Sequence, residues 1–178
     1  MAIARLMIQA NGYTALSFRD IASTVGVKSS SVHYHFPTKG SLGAELARRY
    51  TEEMDDHLEQ SLAMSRDAGA FMARYTAVFR AALANENRMC MCGILAAEHD
   101  ELPREVQLEV VRFAEVNVKW LARALAIGRE QKPSAQLQSH ALAIYAAVEG
   151  AQLVARSRND IMVYDRTIEA YRDNGLLP

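Results

Sequence analysis

The sequence predicts an all-α fold of about nine helices: a three-helix, helix-turn-helix head followed by a helical body. Three observations predict it. Apolar residues recur at three- and four-residue spacing and nowhere alternate with polar ones between turn signals, which leaves no candidate strand. Of the 178 residues 50% are hydrophobic and 23% charged, with only 9 Gly and 4 Pro, so the chain can bury a core and is not disordered, collagen-like or of low complexity. Eight Met, with many Ala, Leu and Arg, favour helix. The longest apolar run, Ala141–Val148, is far below the ~20 residues of a membrane span, and the opening MAIARLMIQANGY has no signal-peptide pattern. Two cysteines make no disulfide framework. A soluble, cytoplasmic protein with no membrane partner is expected.

Each element has its own signals. Helix one covers Ala2–Ala10 and stops at Asn11-Gly12, where Gly supplies a left-handed cap. Ser17 opens helix two, with Asp20 completing an S-x-x-D capping box, and Gly26 ends it near Thr24. Helix three runs from Ser29 to His35, before Pro37. Thr38 caps a long helix four with the stripe Leu42, Leu46, Tyr50, Met54, Leu58 and Leu62. Helix five spans Ala68–Ala84 and ends at Asn85. A short helix follows over Cys92–Glu98, closed by the His99–Pro103 turn. The next extends from Pro103 at its first turn to Ile127-Gly128, and Lys132-Pro133-Ser134 is a break. Ala135–Arg156 and Ile161–Arg172 complete the chain. The domains are expected to divide within helix four, as 1–45 and 46–178.

The segment Phe18–Pro37 carries the chemistry. In a helix-turn-helix two short helices cross steeply about a tight turn. Ala22 gives the small side chain at the crossing, Gly26 the positive φ of the turn, and Val32 the branched anchor on the second helix; Ile21, Val25, Val27 and Phe36 complete a miniature core. With Val32 at 0° and about 100° per residue, Phe36 falls near 40°, while Ser30 and Tyr34 fall near 160° and 200° and face outward, flanked by His33 and Ser31. Small hydroxyls with Tyr and His suit a major groove, and small residues at the helix start allow close approach to phosphate. The candidate DNA contacts are Ser17, Lys28, Ser29, Ser30, Ser31, His33, Tyr34, His35, Thr38 and Lys39. Charge agrees: residues 1–50 hold six Lys/Arg against two acids, a balance of +4, while the other 14 bases and 19 acids leave the rest at −5. A cationic head on an anionic body points to a polyanion partner for the head.

The stretch Gly12-Tyr13…Ser17-Phe18-Arg19-Asp20-Ile21-Ala22…Val25-Gly26-Val27…Val32-His33-Tyr34-His35-Phe36-Pro37-Thr38-Lys39…Leu42 closely resembles the DNA-binding head of tetracycline-repressor-type (TetR family) transcriptional regulators, over about residues 3–50. Cys90–Glu98 (CMCGILAAE), followed by LPREV, resembles a stretch of the body of such regulators. The resemblance implies a double-stranded DNA operator, a small-molecule effector and a homodimer, with Ser31, His33 and Lys39 at positions that contact phosphate and bases. Two departures stand out. His33 occupies a position where the family often has Tyr, and the chain begins almost inside helix one, so a basic arm is expected to be missing.

In the body, Leu137, Ala141, Ile144, Val148 and Ala151 share one face of a helix in which Gly150 permits close approach, and Ile161, Tyr164, Ile168 and Tyr171 make a second stripe. Paired with their symmetry mates these would form a four-helix dimer interface; packing inside one subunit is the competing reading. Phe71, Tyr75, Phe79, Met89, Met91, Phe113, Asn117, Trp120 and Tyr145 are candidates for an effector pocket, with Glu98 and His99 as further polar groups, although such a stripe also reads as plain core. Cys90 and Cys92 are candidate redox thiols that would point about 200° apart in a regular helix. No metal-ligand spacing occurs, no cofactor is implied, and no G-x-x-x-x-G-K, G-x-S-x-G or H-E-x-x-H supports an enzyme. The expected function is a DNA-binding regulator, a homodimeric repressor released by a small ligand. The alternatives are a cysteine-based redox-sensing regulator and an interaction protein that kept the fold without an operator.

Overall fold

A computed structural model describes residues 1–128 and 134–178. All regular structure among them is helical: α1 (Ala2–Asn11), α2 (Phe18–Val25), α3 (Ser29–His35), α4 (Lys39–Ala63), α5 (Ala68–Ala84), α6 (Met91–Ala97), a 3-10 turn (His99–Glu101), α7 (Arg104–Leu125), α8 (Ala135–Ser157) and α9 (Ile161–Asp173). The predicted break at Lys132-Pro133 lies outside the described residues. Ser134, just after it, caps α8 by accepting the Leu137 N–H at 3.3 Å.

Helix ends follow local chemistry. Ser17 Oγ accepts the Asp20 N–H at 3.3 Å, and Asp67 and Asp160 do the same service for α5 and α9. Gly26 adopts φ 77, ψ 30 and closes α2 one residue later than expected. Gly12 also has positive φ, but with ψ 179 it is in a glycine-only extended region rather than the left-handed helical one. The stripe of α4 holds through Leu58 and then drifts: Ser61 is buried and Leu62 half-buried, because 3.6 residues per turn does not keep step with a four-residue spacing.

The chain forms two compact units. One comprises Met1–Glu52 with Cys90–Phe113, the other Glu53–Met89 with Ala114–Pro178, so α4 and α7 contribute a half to each. In the first unit α1 lies against α6 and α2 against α3. Its core includes Ala4, Ile8, Leu42, Leu46, Tyr50, Leu95 and Phe113. The Tyr50 and Phe113 rings stack at 5.3 Å, and the Arg5 guanidinium lies 4.4 Å from the centre of the Tyr50 ring.

In the second unit α5 packs on α8 and α9, and α8 on α9. Phe71, Tyr75 and Phe79 form a buried column, one ring per turn of α5, with centroids 6.3 and 5.1 Å apart. Two polar side chains of this core are satisfied by backbone carbonyls, as burial demands. Tyr164 Oη donates to the Thr76 carbonyl at 2.8 Å, and Gln152 Nε2 donates to the Phe79 carbonyl at 2.7 Å. Trp120 Nε1 donates to Asp55 on α4, and the Arg123 guanidinium covers the indole at 4.0 Å.

Candidate nucleic-acid interface

The head presents its second short helix to solvent. The Gly26 N–H bonds the Ala22 carbonyl at 3.0 Å and the Val27 N–H shares that acceptor at 3.0 Å, which fixes the turn into α3. Ile21 and Ala22 are buried beneath it. None of the seven residues of α3 is buried; Val32 and Phe36 are half-buried and hold the helix down. Two members of the expected miniature core do not join it. Val25 and Val27 are 54% and 45% exposed, because they flank Gly26 where the chain reverses at the surface, and helices this short have too little area to cover the turn.

The outward face is as the helical wheel requires. Tyr34 is 84% exposed, and Ser30, Ser31, His33 and His35 are exposed beside it, as are Lys28 and Thr38; Ser17, Ser29 and Lys39 are partly buried. His33 stands edge-on to Phe18 with centroids 4.5 Å apart, and Tyr34 edge-on to His35 at 5.3 Å, so the start of α2 helps to orient this face. Thr38 Oγ1 accepts the Ser41 N–H at 2.9 Å, as Ser17 Oγ does for Asp20. Capping uses a lone pair, and each hydroxyl keeps its proton to donate to a phosphate.

Charge on this side is smaller than the count suggests. Arg48 and Arg49 pair with Glu45 at 2.7 and 2.6 Å, and Arg48 also with Glu52. The hydrogen bonds from Arg48 and Arg49 hold the Glu45 carboxyl down at about 2. Arg19 and Lys28 remain exposed. Lys39 turns inward: its Nζ donates to the Thr14 carbonyl at 3.0 Å and sits 4.6 Å from the centre of the Tyr13 ring. Burial lowers its pKa and the Glu98 carboxylate partly restores it. The spacing of residues gave no hint of Tyr13, Thr14 and Glu98 around Lys39, since Glu98 is 85 positions from Tyr13.

The pocket candidates separate. Phe71, Tyr75, Phe79, Met89, Asn117 and Trp120 are buried in the second unit, where Tyr145 is half-buried, while Met91 and Phe113 belong to the core of the first. Tyr75 Oη donates to Asn117 Oδ1 at 3.2 Å. Glu98, read as a pocket polar group, instead accepts the Tyr13 N–H at 2.6 Å in the first unit.

The candidate dimer residues Leu137, Ala141, Ile144, Val148, Ala151, Tyr164 and Ile168 are buried within the chain itself. Periodicity finds an apolar face but not its neighbour, and α5 and α9 of the same chain cover this one. Ile161 and Gly150 are half-buried, with open space where a Gly150 side chain would stand. On α8 and α9 the large apolar side chains left exposed are Leu142 (55%), Leu153 (52%), Val154 and Met162.

Cys90 and Cys92 are both buried. Cys90 is the cap of α6 with a non-helical backbone (φ −47, ψ 128), so the opposed directions expected of a regular helix do not describe the pair. Burial, and then the two thiols beside it, push the Tyr50 hydroxyl well above its ordinary pKa. Among the described residues no helix is long and apolar enough to cross a membrane.

Residues 1–46 match the family model of bacterial regulatory proteins of the tetR family. No curated protein matches the chain. Among solved structures, a TetR transcriptional regulator from Legionella pneumophila is 29% identical, with a TM-score of 0.88 over 97% of this chain and 93% of that one. A TetR-family transcriptional regulator from Agrobacterium tumefaciens is 27% identical, with a TM-score of 0.86 over the same shares. The reduced form of NemR from E. coli, 19% identical, shares the fold, with a TM-score of 0.79 over 97% of this chain and 92% of that one. Residues 1–46 thus carry a head that fits the model of bacterial regulatory proteins of the tetR family, with its second short helix facing outward, and the chain is similar in fold along nearly its whole length to solved TetR-family transcription regulators.

Proposed function

We propose that the protein is a homodimeric repressor, not an enzyme, that binds a specific DNA operator in the cytoplasm and is released from it by a small molecule. The observation that carries this reading is α3: a helix with no fully buried residue whose outward face carries an 84% exposed Tyr34. A tyrosine standing among small hydroxyls on a solvent-facing helix has the shape and the hydrogen-bonding groups for a major groove. In the proposal Ser30, Ser31, His33 and Tyr34 read base edges, with Ser29 and His35 at the margins. Lys28, Ser17 and Thr38 hold phosphates, and Lys39 joins them from its inward seat. Residues 1–45 are the DNA-binding domain and 46–178 the effector and dimerisation domain.

Two half-sites read at once double the contacts of one short helix, which favours a dimer. Its surface is the exposed set Leu142, Leu153, Val154 and Met162, in place of the buried face of α8. The effector would lie near Tyr75, Asn117 and Tyr145, whose polar atoms stand among apolar side chains. Release is a population shift: the effector favours a dimer in which α4, shared by the two units, has moved and the recognition helices no longer match the half-site spacing.

The test selects duplexes from a random pool with the purified protein and follows binding of the winner and of a shuffled duplex across a salt series. Preference for the winner together with a steep salt slope is expected. A steep slope with no preference would favour an interaction protein without an operator. Tyr34→Ala should weaken binding of the winner by about ten-fold or more and leave thermal melting unchanged; unchanged affinity would remove Tyr34 from the reading face.

A further inference from the structure

Glu98 lies far from α3 in sequence, and yet its carboxylate is built into the turn that carries the head. It ends α6 and begins the 3-10 turn. Its Oε2 accepts the Tyr13 N–H at 2.6 Å, a charge-assisted bond. Gly12, with φ +84, leaves the space the carboxylate occupies; a side chain there would overlap Glu98 Oε1 and is disfavoured at that φ in any case. The next residues are clamped from the other side, where Lys39 Nζ bonds the Thr14 carbonyl at 3.0 Å and lies over the Tyr13 ring. The ring is a wedge, for a side chain at Gly43 would come within 2.8 Å of Tyr13 Cε2 and 3.0 Å of Val106 Cγ2. The Tyr13 hydroxyl is buried without a hydrogen-bond partner, so the residue is fixed by its ring and backbone. Only residues 15–17 separate this clamped turn from α2.

We infer that Glu98 is a positioning residue for DNA reading: through the Tyr13 N–H it fixes the Gly12–Thr14 turn, and with it both the entry to the helix-turn-helix and the seat of Lys39. Glu98 itself touches no DNA. A shift of the end of α6 would pull on this turn and move α2 and Lys39 together, which gives the α6 segment a direct mechanical hold on the reading face. The inference rests on the head binding a duplex as proposed above.

Two roles for this carboxylate predict different results. If Glu98 were only a negative charge beside a basic head, its removal would strengthen binding to every duplex equally. As a positioning residue, its removal costs selectivity. Glu98→Ala is expected to lower the ratio of selected-duplex to shuffled-duplex affinity about ten-fold, the scale of one lost charge-assisted hydrogen bond. The salt slope should stay as in the parent, whereas Lys39→Ala should make it shallower by about one. Glu98→Gln keeps an acceptor oxygen and should recover part of the ratio, and Tyr13→Phe, which keeps ring and N–H, should leave it intact. Hydrogen exchange gives a readout without DNA: the Tyr13 amide should be protected in the parent and at least ten-fold faster in Glu98→Ala. An unchanged ratio, a common rise on both duplexes, or a Tyr13 amide that already exchanges freely in the parent overturns the inference. If Glu98→Ala does not fold, the Gln variant and the parent's own exchange decide it. A parent that prefers no duplex would instead refute the proposed function, with the exchange result still judging the clamp.

Discussion

Helices α3 and α8 are built on opposite principles. The first fully buries none of its seven residues. The second is 23 residues long and buries seven, Leu137 through Ala155, against neighbours in its own chain. Both carry a clear periodic pattern in sequence. In α3 the pattern's polar side is the informative one, since it leaves Tyr34 and its hydroxyl neighbours in solvent, where the proposed function places DNA. In α8 the apolar side tells only about folding, and the candidate for a partner is the remainder, where Leu142 and Leu153 stand in solvent.

Substitutions on the two helices should therefore separate stability from association. Ile144→Ala, at a fully buried position of α8, should cost about 2–5 kcal/mol of unfolding free energy by urea titration. A loss below about 1 kcal/mol would mean that this face is not core. Tyr34→Ala should change the same measurement by no more than about 0.5 kcal/mol, its whole effect appearing in duplex binding. Leu153→Glu should sit between them: helicity and melting of the subunit nearly unchanged, but a shift from dimer to monomer in sedimentation at micromolar concentration. A dimer that withstands this change would move the interface away from the exposed side of α8.

The smallest expected effect lies on α4, where Glu45 joins Arg48 and Arg49. Its carboxyl is held below the ordinary 4.5, at about 2. A lowered acid pKa stabilises the folded state above the unfolded value and loses that contribution as pH falls through the folded one. Glu45→Gln should thus lower Tm by roughly 1–2 °C at neutral pH, as exposed pairs are weak. The difference from the parent should vanish as pH falls from about 4.5 to about 2. A difference that persists at pH 2 would show that the side chain acts through packing.

The legible parts of this molecule were those decided within a few residues. Ser17, Gly26 and Asn85 end or begin helices by local hydrogen bonds and φ, and a single sequence contains that information in full. The α3 wheel was legible for the same reason. Neighbour identity was not: whether Ile144 meets α9 of its own chain or a second copy depends on how helices far apart in sequence pack, and periodicity is silent on that. Lys39 shows the limit most sharply. Its type and place suggest a phosphate contact, and its actual partners, the Thr14 carbonyl and the Tyr13 ring, follow from a turn held by an acid 85 positions from Tyr13. The opposite charges on head and body were real in number, but Arg48 and Arg49 already answer to Glu45.

Trp120 is the sole tryptophan of the chain, and its indole is enclosed, with Asp55 of α4 at its N–H and Arg123 over its face. Intrinsic fluorescence is therefore a single-site optical probe placed by nature on the α4–α7 contact. A movement of α4 away from α7 at this point would uncover the ring and redden its emission, with no label attached.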